Sequence, residues 1–334
     1  MIISMVPLRV SLVGGGTDLP DYATRYGGAV LSLALDSYVY VVVKPMFDEN
    51  VKVRYSIVEN VSHADQLKHD IVRSCLKFHG IHNKIEIITT ADLPTEGTGL
   101  GSSSAITVGL LQALYTYKGE AVSPDRLAQE ACHVEIELAG SPIGKQDQYI
   151  AAYGGINRFD FHPDDTVTVT PAPLSPARRA ELCQRLMLFY TGQTRSAKEI
   201  LREQAANQER NLETLHQMKA SVATAWEILT GARGLDEIGT LLDQAWQWKR
   251  RLAGSISNPW IDRTYDAVRG VSDAIGGKIC GAGGGGFLLL YVPPEHQPRV
   301  REVLHDLPEV RVGLSPAGSR VIIVNGRGML PASH

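Results

Sequence analysis

The 334 residues are 44% hydrophobic and 21% charged, with a formal net charge of −3 and a pI near 6.4. Such a chain is long enough for two domains with sizeable cores, and it gives no electrostatic reason to take a nucleic acid or an anionic membrane as its main partner. With no basic, apolar leader and no run of about 18 apolar residues, the expectation is a soluble, cytoplasmic protein that binds small molecules and no membrane.

"MIISMVPLRVSLVGGG" reads as a first strand, and the segment carrying Arg9 runs into Gly14, Gly15 and Gly16 and then Thr17 and Asp18. Three glycines let a backbone approach a ligand closely, and a carboxylate just after them can accept hydrogen bonds from hydroxyls. A glycine-rich hairpin with an Asx turn fits the same residues equally well. Further strands are expected in "AVLSLALDSYVYVVVKPM", "VKVRYS" and "KIEIITTADL", with a helix over 63–80 between the last two, ending at Gly80. His79 and His82 form an HxxH there, but without an acidic or cysteine ligand at metal spacing it reads as a polar loop. The four cysteines, Cys75, Cys132, Cys183 and Cys280, contain no CxxC, so neither a disulfide framework nor a zinc site is signalled.

"LPTEGTGLGSSSAITVGLLQAL" (93–114) sets a glycine-rich turn between a strand and a run in which Ile106, Leu110, Ala113, Leu114 and Tyr117 recur at helical spacing. Ser102 or Ser103 is the expected N-cap of a helix over 102–118, with the loop's N–H groups facing an anion, usually phosphate. A P-loop needs a lysine after its last glycine, and no Gly-Lys-Ser or Gly-Lys-Thr occurs. A dinucleotide fingerprint needs a glycine where Ser102 stands. A helix that merely starts with a flexible turn stays open as a reading of this loop alone.

A second helix, over 124–139, opens with Ser123 as cap, Pro124 at its first position and an acidic residue in its first turn. In "HVEIELAGSPIGKQDQYIAAYGG", Glu135 sits near that helix's end, and Asp147 follows a loop that lifts it toward a cleft. A single acid is usually a solvated surface charge. Co-occurrence with the glycine loops is what speaks for a site.

Beyond "NRFDFH" and "TVTVTPAPL", the Pro-rich "PAPLSPAR" (171–178) marks a domain junction, dividing the chain into 1–173 and 174–326. The second part begins with a strand, "RLMLFYTG", then a long helical region from Ser196 to Thr230 stopped by Gly231, and two helices over 235–253 and 259–275. Strand "FLLLYV", helix "HQPRVREVLHDL" and strands "EVRVGL" and "RVIIVN" close an α+β pattern, and residues 327–334 are expected to form a disordered tail. In "GGKICGAGGGGFLLLYV", Gly281, Gly283 and Gly286 satisfy GxGxxG, but a strand follows where a dinucleotide loop must open a helix. So dense a run suits backbone packed on backbone, and Gly281, Gly283, Gly284 and Gly285 are expected to support the first glycine loop.

Taken together, "GGGTD", "PTEGTGLGSSSA" and "KICGAGGGGF" resemble, in order and spacing from Pro7 to Phe287, the three motifs of the GHMP kinases. The resemblance implies a two-domain α+β fold, with an N-terminal ribosomal-protein-S5-like α/β domain and a C-terminal ferredoxin-like α+β domain with added helices. It implies ATP and Mg2+ as cofactors, with Gly97, Gly99, Leu100, Gly101, Ser102, Ser103 and Ser104 as the phosphate loop and Ser103 and Glu135 as the magnesium ligands. "VEIELAGSPIGKQDQ" is similar to a galactokinase segment whose sugar-contacting glycine and catalytic aspartate fall on Gly144 and Asp147. Arg9, Thr17 and Asp18 match the Arg, Thr and Asp of the galactokinase pattern "PGRVNLIGEHTDY", and the likeness gives Arg9 a catalytic role and Thr17 and Asp18 a substrate-binding one. Gly15 and Gly16 replace that pattern's sugar-meeting Glu and His, which argues against galactose.

"GGGTDLPDYATRYGG" is most similar to the branch acting on the anomeric hydroxyl of heptoses, with the fucokinase domain a near relative. The implied acceptor is a small sugar that already carries a phosphate, and Arg195 and Lys198 in "TGQTRSAKEI" are expected to receive it. An exposed helix start with ordinary surface charges fits those two residues as well. Lys145, two residues from Asp147, either touches substrate or keeps that carboxylate ionised. Two other readings remain: a silent sensor on the same fold, which would be free to lose Arg9, Ser103, Glu135 and Asp147, and a mevalonate-type kinase, disfavoured by Asp18. A homodimer is compatible with all of them.

Overall fold

The computed structural model describes residues 1–194 and 196–324, so the expectations for Arg195 and for the tail over 327–334 lie outside the described residues. Near-continuous runs of Val, Ile and Leu in the first 45 residues suit strands buried on both faces. They form β1 (Ile2–Val13) and β2 (Gly28–Pro45), paired antiparallel with Ile2 opposite Val43 and Val13 opposite Leu31. Between them lies α1 (Pro20–Tyr26), a short helix not foreseen from sequence, opened by Pro20.

β2 is long enough to take two partners on its other side. Val39–Pro45 pair with β5 (Ile85–Ala91), and Gly28–Leu33 pair with β6 (Ile156–Phe161). The short strands β3 (Val51–Arg54), β4 (Val58–Val61) and β7 (Val167–Pro171) extend the two branches. β12 (Arg320–Val324) then returns from the far end of the chain to pair antiparallel with β1, completing eight strands.

The helix expected over 63–80 is shorter. A 3₁₀ turn at Ala64–Gln66 is followed by an extended Leu67 and then α2 (Asp70–Phe78), because the side chains of His63 and His69 each accept a backbone N–H and start separate turns. His79, at the end of α2, packs edge-on against Tyr115 with ring centroids 4.7 Å apart. Burial, reinforced by the charge of Lys118, lowers its pKa to about 4. The unfolded chain therefore takes up a proton near pH 6.5 that the folded chain takes up only near 4. Stability is expected to fall as pH drops through that window, by on the order of 1 kcal/mol after solvent screening. His79→Phe should flatten this part of a pH series of urea melts.

α3 (Ser102–Tyr117) lies across β1 and β2, and Gly109 makes the close approach possible. A Cβ there would sit 2.8 Å from Val6, while Ser4 Oγ donates to the Gly109 carbonyl at 2.7 Å. These contacts fix where α3 starts. The expected cap is corrected, however: the N-cap is Gly101, in the left-handed region at φ 74, with no side-chain cap. α4 (Pro124–Cys132) does use Ser123, whose side chain accepts the Arg126 N–H, but the helix expected to run to 139 widens into a single π-helical turn at His133–Leu138. α5 (Gln146–Tyr153) follows.

The second sheet is antiparallel, in the order β11-β8-β10-β9. Its strands are β8 (Leu186–Tyr190), β9 (Gly276–Ile279), β10 (Phe287–Tyr291) and the two-residue β11 (Glu309–Val310). Around it run α6 (Pro176–Arg185), α7 (Ala197–Ala206), α8 (Leu212–Thr230), α9 (Glu237–Leu252), α10 (Pro259–Arg269) and α11 (Gln297–Val303). The helical region expected from 196 to 230 is broken at 207–211 into α7 and α8. Phe189, Trp246, Tyr265 and Leu290 anchor this half's core, while Val222 of α8 joins the core of the first sheet. Among the described residues no helix is long and apolar enough to cross a membrane.

Candidate active site

β1 delivers Arg9 and α5 delivers Asp147 to one cleft. Arg9 Nε donates to Asp147 Oδ1 at 2.6 Å and Nη2 to Oδ2 at 2.7 Å, a two-pronged pair that fixes both planes. Its remaining arm, Nη1, donates to the Gly99 carbonyl at 2.5 Å. Burial works against the guanidinium charge, but Asp147 outweighs it and leaves the Arg9 pKa above its ordinary value.

The loop before α3 forms one wall. Gly97, Gly99, Gly101 and Ser102–Ser104 line the cleft, whereas Leu100 is fully buried and contributes only its carbonyl, which accepts the Arg9 N–H at 3.0 Å. Ser102 Oγ is buried without a partner among the described residues. A bare helix start with an orphaned hydroxyl in front is a seat for an anion.

The C-terminal glycine run reaches this loop at two points. A Cβ on Gly281 would lie 2.4 Å from Gly99 Cα, and one on Gly286 would lie 2.3 Å from the Thr98 carbonyl oxygen. The support expected of Gly283, Gly284 and Gly285 is corrected: Gly283 and Gly284 meet Ile256, and Gly285 meets Gln193. The run bends away after Gly281 and returns only at Gly286.

Glu135 is fully buried on the π-helical turn, a geometry often found at functional sites. Ser103 Oγ donates to its Oε1 at 2.7 Å and Gln148 Nε2 to its Oε2 at 2.5 Å. Burial raises its pKa, and bonds from Ser104, Ser103 and Gln148 oppose the rise. An adjoining hydroxyl and carboxylate beside an anion seat suit magnesium, which takes oxygen ligands and shares phosphates.

Asp18 lies opposite. Gly16 N donates to its Oδ1 at 3.0 Å, as does Gln146 Nε2 at 3.1 Å, and the space it occupies requires Gly144, where a Cβ would sit 2.1 Å from Oδ2. Burial first, and Asp147 second, raise its pKa. Among the described residues Gln146 Oε1, in the same cleft, is buried without a partner, an acceptor left for a ligand hydroxyl.

Three expected substrate contacts fall elsewhere. Thr17 is fully buried and its hydroxyl bonds to the Gly14 and Ala29 carbonyls and the Ala29 N–H, so it braces the turn. Lys145 turns to a neighbouring recess and pairs with Asp165 at 2.5 Å. Lys198 is exposed, and α7 meets the cleft through Ala197, Leu201 and Gln204 instead. Two cleft cations were missed, Lys249 and Lys278. For Lys249 the signal was its place on the stripe Leu242, Ala245, Trp246, Lys249, Leu252, all buried on α9.

A helix-mouth anion seat, a gripped carboxylate and an arginine tied to it define a site for phosphoryl transfer. The family model for the GHMP kinases N terminal domain matches residues 66–155, and that for the GHMP kinases C terminal matches 224–309. The chain belongs to the GHMP kinases and has their two-domain α+β fold. It is 30% identical over 312 residues to the D-glycero-alpha-D-manno-heptose 7-phosphate kinase of Campylobacter jejuni, covering 88% of this chain and 90% of that protein. It is 27% identical to the bifunctional fucokinase/GDP-fucose pyrophosphorylase of Arabidopsis thaliana over 92% of this chain but 31% of that longer protein. In fold it is similar to a D-glycero-D-manno-heptose 1-phosphate kinase from Bacteroides thetaiotaomicron, with TM-score 0.79 and 23% identity over 98% of this chain and all of that one.

Proposed function

We propose that this chain is an ATP- and magnesium-dependent sugar kinase that phosphorylates the anomeric C1 hydroxyl of D-glycero-D-manno-heptose 7-phosphate. The product would be the 1,7-bisphosphate, leading toward nucleotide-activated heptose for surface polysaccharide, made in the cytoplasm. The observation that carries the kinase reading is the Arg9–Asp147 pair set against the helix-mouth loop. The heptose reading rests on the likeness to the Campylobacter protein along most of both chains. A division of the chain near residue 173, with β12 returning to the first sheet, belongs to the same proposal.

In this reading the loop's N–H groups and the start of α3 hold the ATP phosphates. Magnesium, when bound, neutralises charge on those phosphates, and Ser103 and Glu135 would hold it. Asp147 accepts or orients the proton of the attacking hydroxyl, and Arg9 keeps that carboxylate aimed while stabilising charge on the transferring oxygens. Asp18 and the free oxygen of Gln146 take sugar hydroxyls.

The test is ATP consumption across heptose 7-phosphate, the free heptose, fucose, galactose and mevalonate. Turnover confined to heptose 7-phosphate, with a C1-phosphorylated product by phosphorus NMR, is the expected result. Turnover of fucose would favour the fucokinase-like alternative, which the Arabidopsis likeness keeps open. Silence on every acceptor would favour a sensor.

A further inference from the structure

Arg9 and Ser11 stand two residues apart on β1 and both line the cleft, about 7 Å from one another along the strand. Behind Ser11 come two lysines. Lys249 is 7% exposed and spends its ammonium on the carbonyls of Ile279 and Gly281. Lys278 is 5% exposed, lines the cleft, and among the described residues has one weak partner, Ser11 Oγ at 3.4 Å.

Among the described residues neither lysine pairs with a carboxylate. The two carboxylates that line the same cleft are already engaged, Asp147 by Arg9 and Asp18 by Gly16 and Gln146. A buried ammonium with no counter-charge is costly, and after burial itself the charge of Arg9 also works against the charged form of Lys278. Burial brings Lys278 to about 8, so it remains mostly protonated at neutral pH. The site is short of an anion.

The cleft is also open at this point. Gly15 lines the cleft beside Ser11, and a Cβ there would make ordinary contact with Ser11 Oγ at 3.4 Å and Gln146 Nε2 at 3.5 Å. This is the position at which the galactokinase pattern carries a glutamate, whose charge would repel a phosphate. Here lysine, hydroxyl and open space stand one strand step from the catalytic pair.

We propose that Lys278, with Ser11 beside it, seats the phosphate that the acceptor sugar already carries, so that selection for a phosphorylated sugar is made on β1 and β9 and not at the start of α7. The inference rests on the sugar-phosphate kinase reading above. A phosphate of ATP shares the same chemistry, and the experiment separates the two sources.

Steady-state kinetics on the full chain, comparing Lys278→Met and Lys278→Arg with the wild type, make the test. Lys278→Met is expected to raise KM for heptose 7-phosphate on the order of 10–100-fold, with KM for ATP moving no more than about 3-fold. Lys278→Arg should recover most of the loss. Because the unliganded protein is relieved of a buried charge, the Tm of Lys278→Met should rise by a few degrees. A rise in KM for ATP with the acceptor's KM unchanged would assign the site to the nucleotide and overturn the inference. Unchanged constants for both substrates together with a lower Tm would make Lys278 a structural residue and overturn it too.

If the wild type ignores heptose 7-phosphate, the functional reading fails first. The lysine is then judged with inorganic phosphate as probe: greater thermal protection of wild type than of Lys278→Met sustains an anion seat, and equal protection removes it.

Discussion

Asp147→Asn is expected to lower turnover by about 10²–10⁴-fold while leaving ATP affinity within a few-fold of wild type. The amide has nearly the same shape as the carboxylate, so the start of α5 and the cleft wall stay where they are. What changes is charge: the side chain can no longer take a proton, and one of its two contacts with Arg9 becomes donor against donor. Arg9 has only 6% of its side chain exposed and loses its counter-charge, so some stability goes as well. Turnover by coupled assay, ATP binding by calorimetry and Tm separate these effects. Near-normal turnover would take Asp147 out of the chemistry.

Gly99→Ala is expected to be severely damaging at the site. Gly99 has φ +76, and a Cβ would lie 2.5 Å from the Cys280 carbonyl oxygen and 3.0 Å from the Gly281 nitrogen. Both obstacles are backbone, so the two glycine segments must separate or the loop must turn over. A cost of about 2–5 kcal/mol follows from the left-handed conformation and the overpacking together, with turnover falling below detection because the Gly99 carbonyl also anchors Arg9. Gly80→Ala is the control: at φ +66 with nothing within 4 Å, it should cost only about 1–2 kcal/mol. Equal losses in the two variants, read from urea melts, would show that packing between the glycine segments contributes nothing.

Local pattern made most elements legible. The runs that became β1, β2, β5, β8 and β10 are apolar and β-branched, and Ser123-Pro124 announces α4 because cap and ring act within one turn. The break between α7 and α8 was not legible, since "AANQERNL" holds neither glycine nor proline and the chain turns there to pack two helix faces in different places. The widened turn carrying Glu135 left no mark either, because a π turn needs no special residue. At the site, Arg9, Asp18, Ser103, Glu135 and Asp147 were found by motif, and the geometry gathers them. Thr17 and Lys145 went astray because a motif names a position without saying which way the side chain points. Lys278 opens "KICGAGGGGF", where the glycines carry the resemblance, and a lysine on a strand buried at every position is its own signal.

The pairing of β1 with β12 bears on how the protein is made. Ile2 is opposite Val324, so the strand that carries Arg9 is synthesised about 300 residues before its outer neighbour and waits for it until the segment between them has followed. During that interval one edge of β1 offers unpaired N–H and C=O groups to any passing strand. Among the described residues this closure is the strand pairing with the greatest separation in sequence, and such pairings are among the slowest to form. A growing chain thus holds Arg9, Asp147 and the glycine loop preceding α3 before it holds the strand that covers the outer edge of β1, and the sheet that carries Arg9 is completed as a late event of biosynthesis.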